Sequence, residues 1–403
     1  MAKRRPSGDG MVRKRENGHW EGRIVVGHKR NGEPIFRSVY ATTQKELLDK
    51  LHREIAAYDG VELTEDSLMT LGDWLDRWLN EYAANAVRHT TLKNYRHMAE
   101  QVKRELGDKQ ISSVTTEDVQ RMYRRLRENG RIRPDEEHGA ALSASTVRHI
   151  HAMLHLALDA AVREHIIAWN PTVHAAPPRA ERSEMRILTE RELDVFMAAI
   201  RRDEVWYDFF YTEITTGLRR GEICGLRWDD FDEQNGVLHV RRTLHMEDGR
   251  LVTGATKTGS GTRDILLADS TTELLQRRRE NSYSEWIFPN PVKPERPLSP
   301  SAAYARLKTL LRDANLPDIR FHDLRHTFST HALKSGVDAK TLSAILGHTN
   351  ASFTLDTYTH VTGDMQKRAS EIVGGFMEDI MGAMQSQNRV ACADGADVAT
   401  GRR

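Results

Sequence analysis

Apolar and polar positions alternate at first and then recur at helical spacing, and this change of period divides the chain. Near the start, "MVRKREN", "GHWEGRIVVG" and "EPIFRSVYA" read as three strands separated by Asn17-Gly18 and Asn31-Gly32, dipeptides suited to tight turns. A helix from roughly Thr43 to Tyr58 follows. From "TLGDWLDRWLNEY" onward the period lengthens. Leu71, Trp74, Leu75, Trp78, Leu79 and Tyr82 share a helical face behind a Thr70 cap, with Asp73 three residues on. Val119, Met122, Tyr123 and Leu126 form a second stripe, and Arg121, Arg124 and Arg125 fall mostly off it. Val147, Ile150, Leu154, Leu158 and Ala161 mark a longer helix.

Prolines and alanines break the period between Asn170 and Arg186, which reads as a linker. A third unit opens at "LTERELDVFMAAI" with the capping pair Thr189 and Glu192. It continues as helices to about Leu226, strands in "GVLHVRRTLH" and "TRDILLA", and helices again from Ser299, which caps ahead of Pro300. A terminal helix over roughly Asp364 to Met384 carries Ile372, Val373, Phe376, Ile380 and Met381 on one face, and the small polar residues beyond it predict disorder. The expected organisation is therefore a three-stranded sheet with one helix (1–62), an all-α bundle (66–168), a linker (169–186), a mainly helical α+β domain (187–385) and a disordered tail (386–403).

At 403 residues the chain is too long for a single core. No apolar run reaches the length of a membrane helix, and "MAKRRPSGDG" lacks the apolar stretch of a secretory signal, so a cytoplasmic protein with no membrane partner is expected. With two cysteines, Cys224 and Cys392, no disulfide framework or cysteine-rich zinc site can form. The net charge of +1 hides an uneven distribution. Residues 1–40 hold Arg13, Lys14, Arg23 and seven more basic side chains against few acids, a bias that suits either an anionic polymer or a solvated basic arm. Arg13, Lys14, Arg23, Arg121, Arg124 and Arg125 are candidate contacts to such a polymer, DNA above all, and the last three equally a solvated face.

"HDLRHTFSTH", from His322 to His331, poses the chemical question. His322 and His326 stand four apart and would share a helix face, the usual first half of a zinc site. Arg325 shares that face, and a fixed guanidinium repels a divalent cation but welcomes an anion. The metalloprotease pattern also needs Glu directly after the first His, where this chain has Asp323. Three further fragments fit a phosphate. "TTGLRRGEICGLRWDD" places Glu222 three residues after Arg219; "TGATKTGSGTRDILL" places Lys257 at a hairpin tip between strands; "AILGHTNASFTLDTYTH" supplies His348 and Tyr358. Around a phosphodiester these types make sense: cations for the charge of five-coordinate phosphorus, an acid for the leaving oxygen, and a phenol to attack. "GATKTGSG" is no nucleotide loop, because Ser260-Gly261 stand where Lys and Ser/Thr are required.

In this order and spacing the fragments resemble the tyrosine recombinases, specifically phage and mobile-element integrases, and the likeness extends over all three units, most strongly from Thr216 to His360. The resemblance implies that Arg219 and Arg325 clamp the scissile phosphate and that His322 and His348 hydrogen-bond it, His322 also taking the phenol proton. It further implies Lys257 as proton donor to the departing 5′ oxygen, Glu222 as buried acidic partner, and Tyr358 as the nucleophile that forms a 3′-phosphotyrosyl link. Neither metal nor cofactor is called for, since the tyrosyl ester retains the energy of the bond it replaces. The implied partners are double-stranded DNA attachment sites, a homo-tetramer on DNA, an excision factor and a DNA-bending host protein. The apolar face of the terminal helix suits either docking on a neighbouring subunit or packing within its own chain. Two rivals use parts of the same chemistry: a type IB topoisomerase-like nicking and closing enzyme, against which the amino-terminal sheet speaks, and a DNA-binding regulator, which has no need of a nucleophile.

Overall fold

The computed structural model describes residues 10–134, 139–179, 185–255 and 261–347. The chain divides into two compact units, Met1–Ser183 and Glu184–Arg403.

In the first unit, β1 (Met11–Lys14), β2 (Trp20–His28) and β3 (Pro34–Ala41) form an antiparallel sheet in the order β1-β2-β3. The two expected turns are present: Gly18 and Gly32 both have positive φ, and Asn17 and Asn31 each accept a backbone N–H two residues on. Helix α1 (Gln44–Ala57), capped by Thr43, buries Leu47 and Leu51, and Leu51 packs with Ile24, Val26 and Ile35 of the sheet. Gly27 must be glycine because a Cβ there would lie 2.0 Å from the Leu63 carbonyl oxygen, where Leu63 N–H bonds to Val26 O and ties the next segment to the sheet.

The helices that follow are α2 (Leu71–Arg77), continued through Trp78–Ala83 into α3 (Ala84–Ala86), then α4 (His89–Leu106), α5 (Thr116–Asn129) and α6 (Ala144–Arg163). Both sides of the Thr70–Asp73 capping box are formed. The apolar stripes of α5 and α6 are buried as their spacing predicts, and Trp74 in the bundle core donates its indole N–H to Ala157 O at 2.9 Å. The segment expected to be linker begins folded. Asn170 donates to Asp159 at 2.6 Å, Thr172 is fully buried, and Ala176 N–H bonds to Gln120, so polar side chains hold backbone that has no helical period.

The second unit opens with α7 (Glu190–Arg201), α8 (Tyr207–Thr216) and α9 (Arg220–Cys224). Strands β4 (Phe231–Asp232), β5 (Val237–Val240), β6 (Arg242–Glu247), β7 (Arg250–Ala255) and β8 (Arg263–Leu266) make two small sheets, β4-β5-β8 and β6-β7. The hairpin here is β6–β7, turning at Asp248-Gly249, both with positive φ. The strands flanking Lys257 therefore do not pair with each other, which corrects the expectation of a hairpin tip: β7 pairs with β6 and β8 with β5. Helix α10 (Asp269–Glu280) was not expected; it buries only Thr271, Leu274 and Leu275 and has no side-chain cap, so its sequence period is faint. Helices α11 (Pro300–Asp313), α12 (Phe321–Lys334) and α13 (Ala339–Leu346) complete the unit around a core that includes Phe196, Phe209, Phe210, Phe288, Leu307 and Phe321. No helix among the described residues is long and apolar enough to cross a membrane. The expected terminal helix and disordered tail lie outside the described residues.

Candidate active site

Helix α12 is buried along most of its length, and its buried polar side chains find partners both within the helix and on distant segments. Asp323 accepts from the backbone N–H of Arg320 at 2.8 Å and closes the first turn; Ser329 donates to Arg325 O at 2.7 Å, and Thr327 accepts from Leu188 N at 3.1 Å. This packing fixes the direction of Arg325, which is 1% exposed. Its Nη1 donates to Gly217 O at 2.8 Å and its Nη2 to Leu346 O at 2.5 Å.

Gly217 ends α8 in the left-handed conformation, φ +60°, and turns the chain sharply toward α9. Arg219 then sits at the start of α9, where Glu222 accepts from its backbone N–H at 3.0 Å and from its Nη1 at 2.7 Å. The remaining Nη2 of Arg219 donates to Gly347 O at 3.1 Å. A third arginine completes the pattern. Arg263 of β8 donates through Nε to Ile345 O at 2.5 Å and through Nη2 to Glu222 at 2.9 Å. Three successive carbonyls at the end of α13, those of Ile345, Leu346 and Gly347, are thus held by Arg263, Arg325 and Arg219 in turn. The last carbonyls of a helix lack helical partners and form the negative end of its dipole, so this is where guanidinium groups are held most readily.

The charges do not cancel. Burial acts to raise the Glu222 pKa, but the hydrogen bond and charge of Arg263, with the charge of Arg219, hold it below the ordinary carboxylate range. Glu213 on α8 is fully buried, and neither carboxyl oxygen has a hydrogen-bond partner among the described residues. Burial pushes its pKa well up against the opposing charge of Arg325, which favours the neutral acid. Burial first, then the Arg219 charge, push Arg325 down to about 9, which leaves it charged at neutral pH. The three guanidiniums of Arg219, Arg263 and Arg325 outnumber the carboxyls of Glu222 and Glu213, and the surplus is positive. His322 lies one turn before Arg325, edge to face with His326 at 4.7 Å between ring centres. Burial of part of its ring, with the neighbouring His326 and the charges of Arg325 and Arg219, lowers its pKa to about 4, although the residue keeps an exposed surface. It is a neutral imidazole at pH 7, able to accept a proton.

The structure thus brings together Arg219, Glu222, His322 and Arg325. Lys257, His348 and Tyr358 lie outside the described residues. Arg263 and Glu213 were missed by sequence reasoning, because nothing in their local sequence sets them apart from other charged positions. Among the described residues no group of three or more His, Cys, Asp or Glu is arranged to hold a metal ion. In the first unit, Arg13 and Arg23 point to the open face of the sheet, Lys14 alternates to the other, and Arg121, Arg124 and Arg125 lie on the exposed face of α5. Arg121 is paired with Asp118 at 2.9 Å and Arg125 with Glu105 at 3.2 Å.

Residues 186–364 match the phage integrase family, and residues 70–127 match the phage integrase N-terminal SAM-like domain. A tyrosine recombinase XerC-like protein of Caldanaerobacter subterraneus subsp. tengcongensis is 26% identical over 86% of this chain and 94% of its own length. The ICEBs1 integrase of Bacillus subtilis is 26% identical over 89% of this chain and 98% of its own. Among solved structures, a Tn1549 transposon integrase in complex with a circular intermediate DNA superposes with a TM-score of 0.65 at 24% identity, covering 76% of this chain and 99% of that one, a likeness of fold.

Proposed function

We propose, from the premise that this chain belongs to the phage integrase family of tyrosine recombinases, that it integrates or excises a mobile element by cutting and rejoining DNA at attachment sites through a 3′-phosphotyrosine intermediate. The hydroxyl of Tyr358 attacks the scissile phosphorus, the bond to the 5′ oxygen breaks, and Lys257 supplies the proton that oxygen needs. Neutral His322 takes the phenolic proton, and Arg219 and Arg325 neutralise the non-bridging oxygens as charge builds on them. His348 adds a hydrogen bond to the same oxygens, and Glu222 orients Arg219. Reversal with a new 5′ hydroxyl rejoins the strand, with no high-energy cofactor, because one phosphodiester is exchanged for another.

The observation that carries this reading is the anchoring of Arg219 and Arg325 on adjacent carbonyls at one helix end, with a net positive charge and a neutral imidazole beside them. Exchange between two duplexes cut on both strands needs four nucleophiles, which supports a homo-tetramer on DNA, with an excision factor and a DNA-bending host protein as accessory partners. The open face of the amino-terminal sheet, with Arg13 and Arg23, and the α5 face, with Arg121, Arg124 and Arg125, are the surfaces assigned to DNA; Lys14 adds charge beside the first.

The test is a nicked attachment-site duplex that traps cleavage, read on a denaturing gel. The wild-type chain should give a slow covalent band and transfer strands between two sites, and Tyr358→Phe should give neither. A Tyr358→Phe variant that still cleaves at the normal rate overturns the mechanism.

A further inference from the structure

We propose that Glu21 is the positioning residue of a sequence-reading face on the amino-terminal sheet. Its carboxylate locks Arg13, Arg15 and Arg23 in fixed directions, so that their outer guanidinium edges read base edges in a groove of duplex DNA. The inference rests on the reading above that this sheet contacts DNA, and it names what makes the contact selective.

Glu21 lies on the central strand, with Arg13 of β1 directly opposite on one side and Tyr40 of β3 on the other. Strand alternation turns it away from α1 toward the open face. Its side chain nevertheless has no exposure, because the arginines cover it. Arg13 Nε donates to Oε2 at 2.6 Å, and Arg15 Nε to the same oxygen at 3.0 Å. Arg23 Nε donates to Oε1 at 3.0 Å, joined there by Arg15 Nη2 at 3.4 Å and the Tyr40 hydroxyl at 3.3 Å. The Arg15 guanidinium carbon also stands 5.1 Å from the centre of the Tyr40 ring.

This is more than a surface ion pair. One carboxylate cannot neutralise three guanidiniums, so the cluster keeps an excess of two positive charges. Arg13, Arg15 and Arg23 are all gripped at Nε, the nitrogen nearest the backbone, and the terminal nitrogens of Arg13 and Arg23 have no partner among the described residues. Arg13 and Arg15 keep 51% and 41% of their side-chain surface open. Paired terminal N–H groups are the edge that binds guanine O6 and N7. An arginine fixed beforehand can discriminate between bases, whereas a mobile one follows phosphate charge alone. Farther along the same face the opposed pair Val25 and Phe36 is exposed, an apolar surface of the kind that meets a thymine methyl.

The experiment takes the full chain through selection from a library of duplexes with a randomised segment, followed by affinity measurements on the selected and unselected pools. The part of the selected sequence that disappears when Arg13, Arg15 and Arg23 are all changed to Ala is assigned to the sheet. Glu21→Gln, close in shape, should lose about tenfold of its preference for that part while binding unselected duplex more tightly, because one negative charge is gone. The rest of the selected sequence should persist, which shows that the variant is folded. Unchanged preference in Glu21→Gln, with the triple variant defective, overturns the role of Glu21. A triple variant that selects the same sequence at the same affinity overturns the DNA contact of the sheet itself.

Discussion

Arg219 and Arg325 come from different helices and hold neighbouring carbonyls at the end of α13, Gly347 O at 3.1 Å and Leu346 O at 2.5 Å. Two like charges this close repel, and burial alone favours discharging Arg325; the helix end and Glu222 offset both effects. The guanidiniums are thereby placed before any ligand arrives. A site of this kind acts through pre-set charge, with little rearrangement left for the reaction itself.

Arg325→Lys should therefore be far from conservative. A lysine keeps the charge but cannot reach Gly217 O and Leu346 O together in a planar fork. Cleavage of a trapping duplex should fall by about 100-fold or more, in line with the loss of one fixed charge-stabilising group, while duplex binding in a gel shift changes little. A loss of binding equal to the loss of cleavage would contradict the assignment.

Arg263→Gln tests the support beneath the clamp. Arg263 bridges Glu222 and Ile345 O with its side chain only 6% exposed, and removing it strips the buried carboxylate of one of its two guanidinium partners. Breaking a buried pair on one side typically costs about 3 kcal/mol, so the melting temperature of the second unit should drop by roughly 6 to 12 °C. Calorimetry checks this, and Arg263→Lys should recover part of the loss because the charge returns without the second hydrogen bond.

The pH dependence of His322 has a definite sign. Its folded pKa of about 4 lies below the ordinary value of 6.5, so between these two pH values the folded chain binds fewer protons than the unfolded one. Its contribution to stability is whole above pH 6.5 and is lost as pH falls toward 4. Imidazole NMR should show His322 still neutral at pH 5.5. Arg219→Ala should raise its pKa by removing a neighbouring positive charge, and bound duplex should raise it through the phosphate.

Much of this was legible in sequence. Caps declared themselves, since Thr70 with Asp73 and Thr189 with Glu192 are local devices that need only three residues of spacing. Stripes on α5 and α6 were equally plain. What escaped depends on contacts across long stretches of chain. Arg263 reads as one more basic residue until Ile345 and Glu222 are seen beside it, and Glu213 reads as a polar helix position until its complete burial is known. Helix α10 hid because a weakly amphipathic segment has no clear period, and the head of the expected linker because Asn170 and Thr172 bond outward to α6 and to each other.

Gly217 offers the sharpest test of how the turn positions the clamp. Its φ of +60° costs a non-glycine residue about 1 to 2 kcal/mol, and a Cβ would also lie 2.4 Å from Cδ1 of Phe328. The ring belongs to α12, three residues after Arg325, so displacing it disturbs the helix that aims the guanidinium. Gly217→Ala should lower stability by roughly 2 kcal/mol or more and slow cleavage through the shifted Gly217 carbonyl, which accepts from Arg325. Adding Phe328→Leu makes room for the methyl group but leaves the backbone strain. The double variant should therefore regain the part of the loss due to the clash and none of the part due to φ. Strictly additive losses would mean that Phe328 and Gly217 are not in contact.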